Sequence, residues 1–187
     1  MPIIEFATPA DFADWLAKHH QASAGLWMKI AKKNSGSQTV TYSEALDVAL
    51  CFGWIDGQKD RFDELYWLQR FTPRKPRSRW SKANRDRATA LIENGRMGPM
   101  GLRAVERAKA DGRWDTAYEG QKASTVPGDL KEALDQNPVA REFFSTLDSR
   151  NRYAVLYRLQ NTRRPETRAR KIGEFVAMLG ERRKFHD

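Results

Sequence analysis

The sequence has a single cysteine, Cys51, and three histidines, His19, His20 and His186. One cysteine cannot form an internal disulfide, which fits a reducing compartment. So few histidines leave little material for a Ser-His-Asp arrangement, and no Cys/His cluster has the ligand spacing of a zinc site. Glycine-rich phosphate loops of the GxxxxGK[ST] and GxGxxG types are also missing. We therefore expect neither a metal nor a cofactor.

Long apolar stretches are missing as well. No run approaches the roughly 20 residues that a membrane-spanning helix needs, and charged residues make up 30% of the chain. The first fifteen residues are acidic and lack the continuous apolar run of a secretory signal. We expect a cytoplasmic protein without membrane insertion.

The composition supports a packed core. The chain has 187 residues, of which 40% are hydrophobic, with six Trp and nine Phe. We predict an α+β fold, in which a small antiparallel or mixed sheet with packed helices is followed by an all-helical C-terminal part. The three predicted strands are 26–33, 54–61 and 65–72. The expected domains are an N-terminal α+β domain with a basic arm at 1–112, a linker at 113–126 and a helical subdomain at 127–187.

Capping residues predict several helix boundaries. Thr8 before Pro9 predicts a helix start, and Thr41 with Glu44 forms the capping-box pattern. Gly53 is expected to end the second of these helices in a left-handed conformation.

Further helices are predicted beyond the basic arm. A helix from Gly98 to Asp111 should bury Leu102, Val105 and Ala108. The residues predicted to start helices in the tail are Asn137-Pro138, Asp148 or Ser149, and Pro165.

The most unusual stretch runs from Cys51 to Asn84. It opens apolar, is predicted to turn at Asp56-Gly57, returns through an aromatic strand and ends in a dense arginine run. Pro73 and Pro76 each remove a backbone donor and favour extended chain. The pattern indicates a charged arm attached to a packed hairpin.

Positive charge is concentrated in two blocks. Residues 70–87 hold eight Lys or Arg against one Asp, and residues 150–187 hold eleven against four acidic residues. Each block has a net charge of +7, whereas the whole chain has +9. If the blocks meet in space they form a patch that attracts anions. The alternative is that both are solvated basic segments.

The two blocks supply the candidate ligand contacts. Arginine pairs with planar anions through two hydrogen bonds, and Trp67, Phe71 and Trp80 could stack on a ring. In the second block the helix start at Pro165 suits a phosphate or carboxylate. The candidate ligand-binding residues are Arg70, Arg74, Arg77, Arg79, Trp80, Lys82, Asn84, Arg163, Arg164, Thr167 and Arg168.

Asp56 is the one catalytic candidate, since no catalytic residue can be assigned from a motif. A carboxyl group beside Trp54 could have a raised pKa and act in acid–base chemistry. The structural alternative, which we favour, is that Asp56 caps a turn with its own backbone. Cys51 lies at the end of a predicted helix, where a lowered thiol pKa is not expected, so we predict a core residue.

Several segments together carry a family resemblance. They are GLW at 25–27 with Lys32-Lys33, TYSEALD at 41–47, CFGWIDG at 51–57, RFTPRKPRSRWSKAN at 70–84, GRM with Pro99, and PETRAR at 165–170. In these segments the chain resembles the YdeI/OmpD-associated (OmdA-like) family, small bacterial proteins often labelled bacteriocin-protection proteins. The resemblance implies a stress-related or resistance-related role and gives no reaction, ligand or catalytic residues.

We derive one main hypothesis and two alternatives. The main hypothesis is a non-enzymatic binding protein that recognises a small anionic or aromatic ligand through an Arg-rich surface. The first alternative is a small-pocket enzyme that uses Asp56 with arginines on a carboxylate or phosphate substrate. The second is a nucleic-acid-binding protein, although no RNP, helix-turn-helix or zinc-finger pattern supports it. The sequence indicates no oligomeric state.

Overall fold

The computed structural model describes residues 1–121 and 123–187 of the chain. Within them it contains a four-stranded mixed sheet and eight helices, so the predicted α+β fold with an all-helical C-terminal part is confirmed. The chain divides into two compact units. The N-terminal unit comprises Met1–Trp80 and Asn84–Ala117, and the C-terminal unit comprises Ser81–Ala83 and Tyr118–Asp187.

The sheet belongs to the N-terminal unit. The elements in chain order are β1 (Ile3–Glu5), α1 (Pro9–His19), β2 (Leu26–Ala31), α2 (Tyr42–Cys51), β3 (Trp54–Arg61), β4 (Tyr66–Pro73), α3 (Lys82–Glu93) and α4 (Pro99–Ala110). The strand order is β1-β2-β4-β3, with β1 parallel to β2 and the other pairs antiparallel. The three predicted strands are present, whereas the three-residue strand β1 was not predicted.

Local capping chemistry sets the ends of the first two helices, as predicted. The Thr8 hydroxyl accepts the Asp11 N–H, and the Asp11 carboxylate accepts the Thr8 N–H. Thr41 and Glu44 form the same reciprocal pair at the start of α2. Gly53 follows α2 with φ of 70°, the left-handed conformation that glycine adopts without a steric penalty.

One face of the sheet forms the core. Leu26, Met28 and Ile30 of β2 are buried, and they pair in register with Phe71, Gln69 and Trp67 of β4. Because side chains alternate along a strand, all six lie on the same face. Helices α1 and α2 supply further members of this core.

Helix α4 buries the predicted face except at Leu102. Val105 and Ala108 are buried as expected, but Leu102 is 36% exposed. Gly101 lies inward instead, and a Cβ atom there would come within 2.5 Å of the Leu50 carbonyl oxygen. The close approach of α4 to the end of α2 therefore turns Leu102 outward.

The turn of the hairpin also lies elsewhere. Asp56 and Gly57 are inside β3, and the chain reverses between Arg61 and Tyr66. The Asp63 carboxylate accepts the N–H groups of Leu65 and Tyr66 at 2.8 and 2.7 Å, which fixes the turn. The prediction of a turn at Asp56-Gly57 was wrong.

The arginine arm after β4 contains a turn at residues 76–77, whereas the sequence predicted extended chain. The Ser78 N–H donates to the Lys75 carbonyl at 2.9 Å, and the Lys75 N–H donates to the Ser78 hydroxyl at 3.0 Å. These bonds close a turn around Pro76, where the fixed φ of proline suits a turn position.

The C-terminal unit is helical. Its helices are α5 (Gly128–Asp135), α6 (Pro138–Thr146), α7 (Ser149–Gln160) and α8 (Pro165–Gly180). Asn137 caps α6, Asp148 caps α7 and Pro165 is the first residue of α8, as predicted. The buried apolar core of the unit is Leu130, Leu134, Ala140, Phe144, Val155, Leu156, Leu159, Ile172, Phe175 and Leu179.

Both ends of the segment 113–126, predicted as a linker, make packing contacts. Trp114 packs against Trp80 in the N-terminal unit, with ring centroids 4.9 Å apart. The Glu119 N–H donates to the Gln160 side chain in the C-terminal unit at 3.1 Å. The described residues of the segment are thus divided between the two units. Among all described residues, no helix is long and apolar enough to span a membrane.

Candidate functional site

A β-bulge in strand β3 determines where Asp56 lies. Asp56 pairs with Phe71 and Lys59 pairs with Gln69, so Gly57 and Gln58 together oppose the single residue Arg70. In a regular strand, residues three apart point to opposite faces. The extra residue instead brings Asp56 and Lys59 to the same face of the sheet.

The Gln69 side chain supports this bulge. It is only 4% exposed, and its Nε2 lies 3.0 Å from the Gly57 carbonyl and 3.2 Å from the Gln58 carbonyl. A bulge interrupts the backbone ladder and leaves such carbonyls in need of donors. Gln69 supplies those donors from the neighbouring strand.

Two helices present donors to the Asp56 carboxylate. The Tyr42 hydroxyl, at the start of α2, donates to Oδ2 at 2.8 Å. The Asn84 amide, in the first turn of α3, reaches to within 3.5 Å of Oδ1. The turn-capping role predicted for Asp56 was therefore wrong, because its carboxylate is held by side chains from elsewhere in the sequence.

The environment of Tyr42 keeps its phenol protonated. Burial raises its pKa well above the usual range, and the negative charge of Asp56 and the hydrogen bond to it raise the pKa further, while Arg87 opposes the shift. The Arg87 guanidinium donates to the Asp47 carboxylate at 2.7 Å and to the Ser43 carbonyl at 3.0 Å. These bonds connect α3 to α2 beside Tyr42.

Trp67 lies next to this pair on the same face of the sheet. Trp67 is partly exposed. Its ring centroid is 6.2 Å from that of Tyr42, and the Lys59 Nζ atom lies 4.2 Å from the centroid of the Trp67 ring. A cation at this distance interacts favourably with an aromatic face.

Two grooves meet at Trp67. One has a volume of about 990 Å³ and extends along the tip of the β3–β4 hairpin. The other, of about 660 Å³, reaches Tyr42 and the start of α1. Lys32 and Lys33 line both grooves. The remaining charged residues of the larger groove are Lys59, Arg61, Asp60, Asp63 and Glu64.

We name this region the Trp67 groove and define it by Trp67, Tyr42, Lys32, Lys33 and Lys59. Sequence reasoning considered Trp67 as a stacking residue but did not connect it with Tyr42 or with these lysines. The period-two pattern of β4 predicts that Trp67 and Phe71 lie on the same face of the sheet. The bulge that brings Lys59 to that face cannot be predicted from the sequence pattern.

Two of the aromatic residues predicted to stack on a ligand lie in the core. Phe71 is fully buried, and Trp80 is 2% exposed. The Arg74 guanidinium lies 3.5 Å from the Trp80 ring centroid, and its Nη1 donates to the Arg79 carbonyl at 3.2 Å. Arg74 and Trp80 thus contribute to packing, which corrects the expectation of a stacking surface at Phe71 and Trp80.

The other predicted residues of the first block lie in several surroundings. Arg70 is on the opposite face of the sheet from Trp67 and donates to the Gln58 side chain at 3.3 Å. Lys82 pairs with Glu119 at 2.5 Å within the C-terminal unit. Arg77 and Arg79 are exposed. The structure brings Asn84 to Asp56, as described, but does not gather the block into one cluster.

The second block is partly occupied by internal contacts. Arg168 binds both carboxylate oxygens of Asp129, at 2.5 and 2.9 Å, and its hydrogen bonds lower the pKa of Asp129. Lys171 donates to the Thr162 hydroxyl at 3.0 Å. Arg163 and Arg164 are exposed, and Thr167 is partly buried.

The two basic blocks fall mainly in different units. Whether they form one anion-binding patch stays a prediction.

Neither thiol chemistry nor a metal centre is indicated. Burial raises the pKa of the Cys51 thiol, which makes it a poor nucleophile at neutral pH. In the described part of the chain, no group of three His, Cys, Asp or Glu side chains could hold a metal ion.

Comparison with known families gives two matches. Residues 4–104, just over half of the chain, match the family model described as Domain of unknown function (DUF8412). Residues 123–182 match the one described as Bacteriocin-protection, YdeI or OmpD-Associated. The resemblance noted in the sequence is thereby confirmed for the C-terminal stretch, whereas the segments from GLW to RFTPRKPRSRWSKAN lie within the first match. No curated protein and no solved structure matches the chain.

Proposed function

The chain belongs to the family of the domain of unknown function DUF8412, and from this premise we propose that it is a non-enzymatic binding protein. Its N-terminal unit binds a small ligand that carries an aromatic ring and a negative charge. The binding site is the Trp67 groove. Ligand capture is the molecular step through which the chain serves a stress-related or protective role, for which the match over residues 123–182 is the support.

The observation that carries the proposal is the position of Trp67. Its partly exposed ring lies next to Tyr42 and Lys59, at the meeting point of two grooves that Lys32 and Lys33 both line. Small-molecule sites are concave and combine aromatic lining with a few charged groups. A ring can stack on Trp67 while the lysines attract its anionic group.

The arginines are weaker candidates for this role. Arg87 binds Asp47 and Arg168 binds Asp129, so each is already matched by a carboxylate of the protein. Arg74 is buried against Trp80. The proposal therefore keeps the chemistry expected from the sequence and assigns it mainly to lysines and Trp67.

The test is a titration with matched small molecules at pH 7. Binding is monitored through the chemical-shift changes of the tryptophan indole N–H signals in NMR spectra. We expect 2-naphthoate to bind more tightly than 2-naphthamide, which lacks the charge, and more tightly than cyclohexanecarboxylate, which lacks the ring. Trp67→Leu should weaken 2-naphthoate binding about tenfold, because a lost stacking contact of about 1–1.5 kcal/mol corresponds to that factor.

Trp27→Leu is the matched control. Trp27 is also partly exposed in a strand of this sheet, but it lies on the opposite face. It should leave the affinity for 2-naphthoate unchanged. Equal affinities of wild type and Trp67→Leu, or no binding of 2-naphthoate at millimolar concentration, would refute the proposal.

The enzymatic alternative has one supporting observation, the hydrogen bond between Tyr42 and Asp56. It requires an arginine that can bind the substrate near Asp56. Arg87, whose charge acts on Tyr42, is bonded to Asp47 and Ser43 instead. Binding without chemistry is therefore the function that the geometry supports best.

A further inference from the structure

We infer that the Tyr42–Asp56 pair makes the Trp67 groove selective for ligands that carry an N–H or O–H donor in addition to their anionic group. This inference rests on the proposed function. It names the ligand class as hydroxy-substituted or amino-substituted aromatic acids.

The hydrogen-bonding capacity of the pair is the first step. The Tyr42 proton is committed to Asp56 Oδ2 at 2.8 Å. The phenol oxygen therefore has lone pairs left and no proton to donate. An ionised carboxylate offers about four acceptor sites, and Asp56 receives the two side-chain donors described above. The pair can accept further hydrogen bonds but cannot donate any.

The position of the pair relative to the groove is the second step. Tyr42 is 36% exposed and lines the same groove as Trp67, Lys32 and Lys33. The groove thus has cations and the Tyr42 phenol oxygen among its lining residues, and Asp56 is hydrogen-bonded to that phenol. A ligand with an anionic group alone binds the lysines and adds no hydrogen bond to the acceptor sites that the pair still offers. A donor on its ring satisfies both.

The protonation state of Tyr42 is consistent with this role. A tyrosine phenol is neutral at physiological pH, and the raised pKa of Tyr42 extends this range upward. The Asp56 carboxylate, which accepts the hydrogen bond from Tyr42, attracts a partial positive charge on a ligand donor. An anionic group, in contrast, is repelled from this end of the groove, so the ligand has one preferred orientation.

Rigid support is the third step. Gln69 fixes the bulge that places Asp56 on this face, and the bonds of Arg87 to Ser43 and Asp47 connect the two helices that hold Asp56. A binding constellation discriminates best when neighbouring contacts fix its side chains. The supports here come from β4 and α3, and neither Gln69 nor Arg87 is required to touch the ligand.

The experiment compares acids that differ only in the donor. The probes are 6-hydroxy-2-naphthoate with 6-methoxy-2-naphthoate, and 4-hydroxybenzoate with 4-methoxybenzoate as a shorter pair. A methyl ether keeps the oxygen as an acceptor and removes the proton. Dissociation constants are measured at pH 7 by isothermal titration calorimetry. For at least one pair we expect the hydroxy acid to bind wild type about tenfold more tightly, the factor expected for one hydrogen bond to a charged group.

Two variants assign this preference to the pair. Asp56→Asn removes the charge, and Tyr42→Phe removes the phenol, so each should reduce the preference for the hydroxy acid to less than about threefold. The methoxy acid is titrated against each variant as well, so that the readout is the ratio of the two affinities and not the affinity for either acid alone. Thermal melting monitors folding, and Tyr42→Phe provides the test if Asp56→Asn does not fold.

The outcomes separate this inference from the proposed function. If both acids of each pair bind wild type equally and Trp67→Leu weakens both, the groove is the binding site and the selectivity inference is wrong. If Trp67→Leu changes neither affinity, the proposed function itself fails. A preference for the hydroxy acid that persists in both Tyr42→Phe and Asp56→Asn would also overturn the inference.

Discussion

The folded chain binds the Tyr42 phenol proton more tightly than the unfolded chain does. This proton therefore contributes stability that is lost at high pH. Burial, followed by the charge of Asp56 and the hydrogen bond to it, raises the pKa of Tyr42 in the folded state. The unfolded chain releases this proton near pH 10, at the ordinary tyrosine pKa, and the folded chain releases it only at higher pH. The contribution of Tyr42 to stability is therefore complete below about pH 10 and is lost as pH rises toward the folded-state pKa.

This argument predicts a difference between wild type and Tyr42→Phe. Urea unfolding at several pH values between 9 and 11.5 should show that the free energy of unfolding of wild type falls more steeply. The difference in slope should be at most about 1.4 kcal/mol per pH unit and smaller in practice, because water screens the partly exposed ring. Parallel curves for the two proteins would show that Tyr42 titrates alike in both states.

Strand β3 shows how a single neighbouring strand determines the arrangement of a site. The bulge between Asp56 and Lys59 depends on Gln69, which is twelve residues away from Gly57 and donates to its carbonyl. Gln69→Leu keeps a side chain of similar size and removes both donors. The carbonyls of Gly57 and Gln58 then lose their side-chain donor, and a hydrogen bond of this kind contributes about 0.5–1.5 kcal/mol.

We therefore expect Gln69→Leu to lower the free energy of unfolding by about 1 kcal/mol and to weaken binding of 6-hydroxy-2-naphthoate. Urea denaturation and calorimetry measure the two effects. Gln58→Leu is the control, because it keeps the backbone carbonyl that Gln69 binds and removes only an exposed side-chain hydrogen bond from Arg70. Unchanged stability of Gln69→Leu would mean that the bulge does not depend on this side chain.

Helix starts and the predicted hairpin turn show which parts of the structure the sequence predicts. Helix starts at Thr8, Thr41 and Asn137 were predictable because each cap bonds to a residue three positions away. The Asp56-Gly57 pair has ordinary turn chemistry, and only its partners Tyr42 and Asn84 show that it is not a turn.

Long-range contacts explain the other differences between prediction and structure. Trp80 looks like a surface ring in a charged arm, but its contact with Trp114 buries it. Arg168 looks like a ligand for anions, but Asp129, thirty-nine residues earlier, binds it. Partners at such separations cannot be identified from local patterns.

At the scale of the whole molecule, the net charge of +9 overstates how much arginine and lysine is available to a polyanion. Among the described residues, several cations of both blocks bind carboxylates of the protein, including Arg87, Arg168 and Arg170. A nucleic-acid partner that made six phosphate contacts would lose affinity roughly 10³-fold between 50 and 200 mM salt. A small monoanion in the Trp67 groove would show a far weaker salt dependence, so the same titration at two salt concentrations separates these alternatives.

The division into two units leads to a prediction about folding. The C-terminal unit contains its own core of ten buried apolar residues, supplied by four helices. Domains of about 60–70 residues are marginal but fold alone when their core is well packed. We expect a fragment of residues 118–187 to fold, with a free energy of unfolding of about 3–7 kcal/mol.

The fragment lacks Ser81–Ala83, so it should be less stable than the same unit in the full chain. In that chain the Lys82 N–H donates to the Tyr118 carbonyl at 2.8 Å, and this hydrogen bond would be lost. Circular dichroism during urea titration should nevertheless show one cooperative transition. Leu156→Ala in the fragment should abolish it, because removing this fully buried side chain costs about 2–5 kcal/mol. A fragment with helical signal but no cooperative transition would show that this core does not specify a fold by itself.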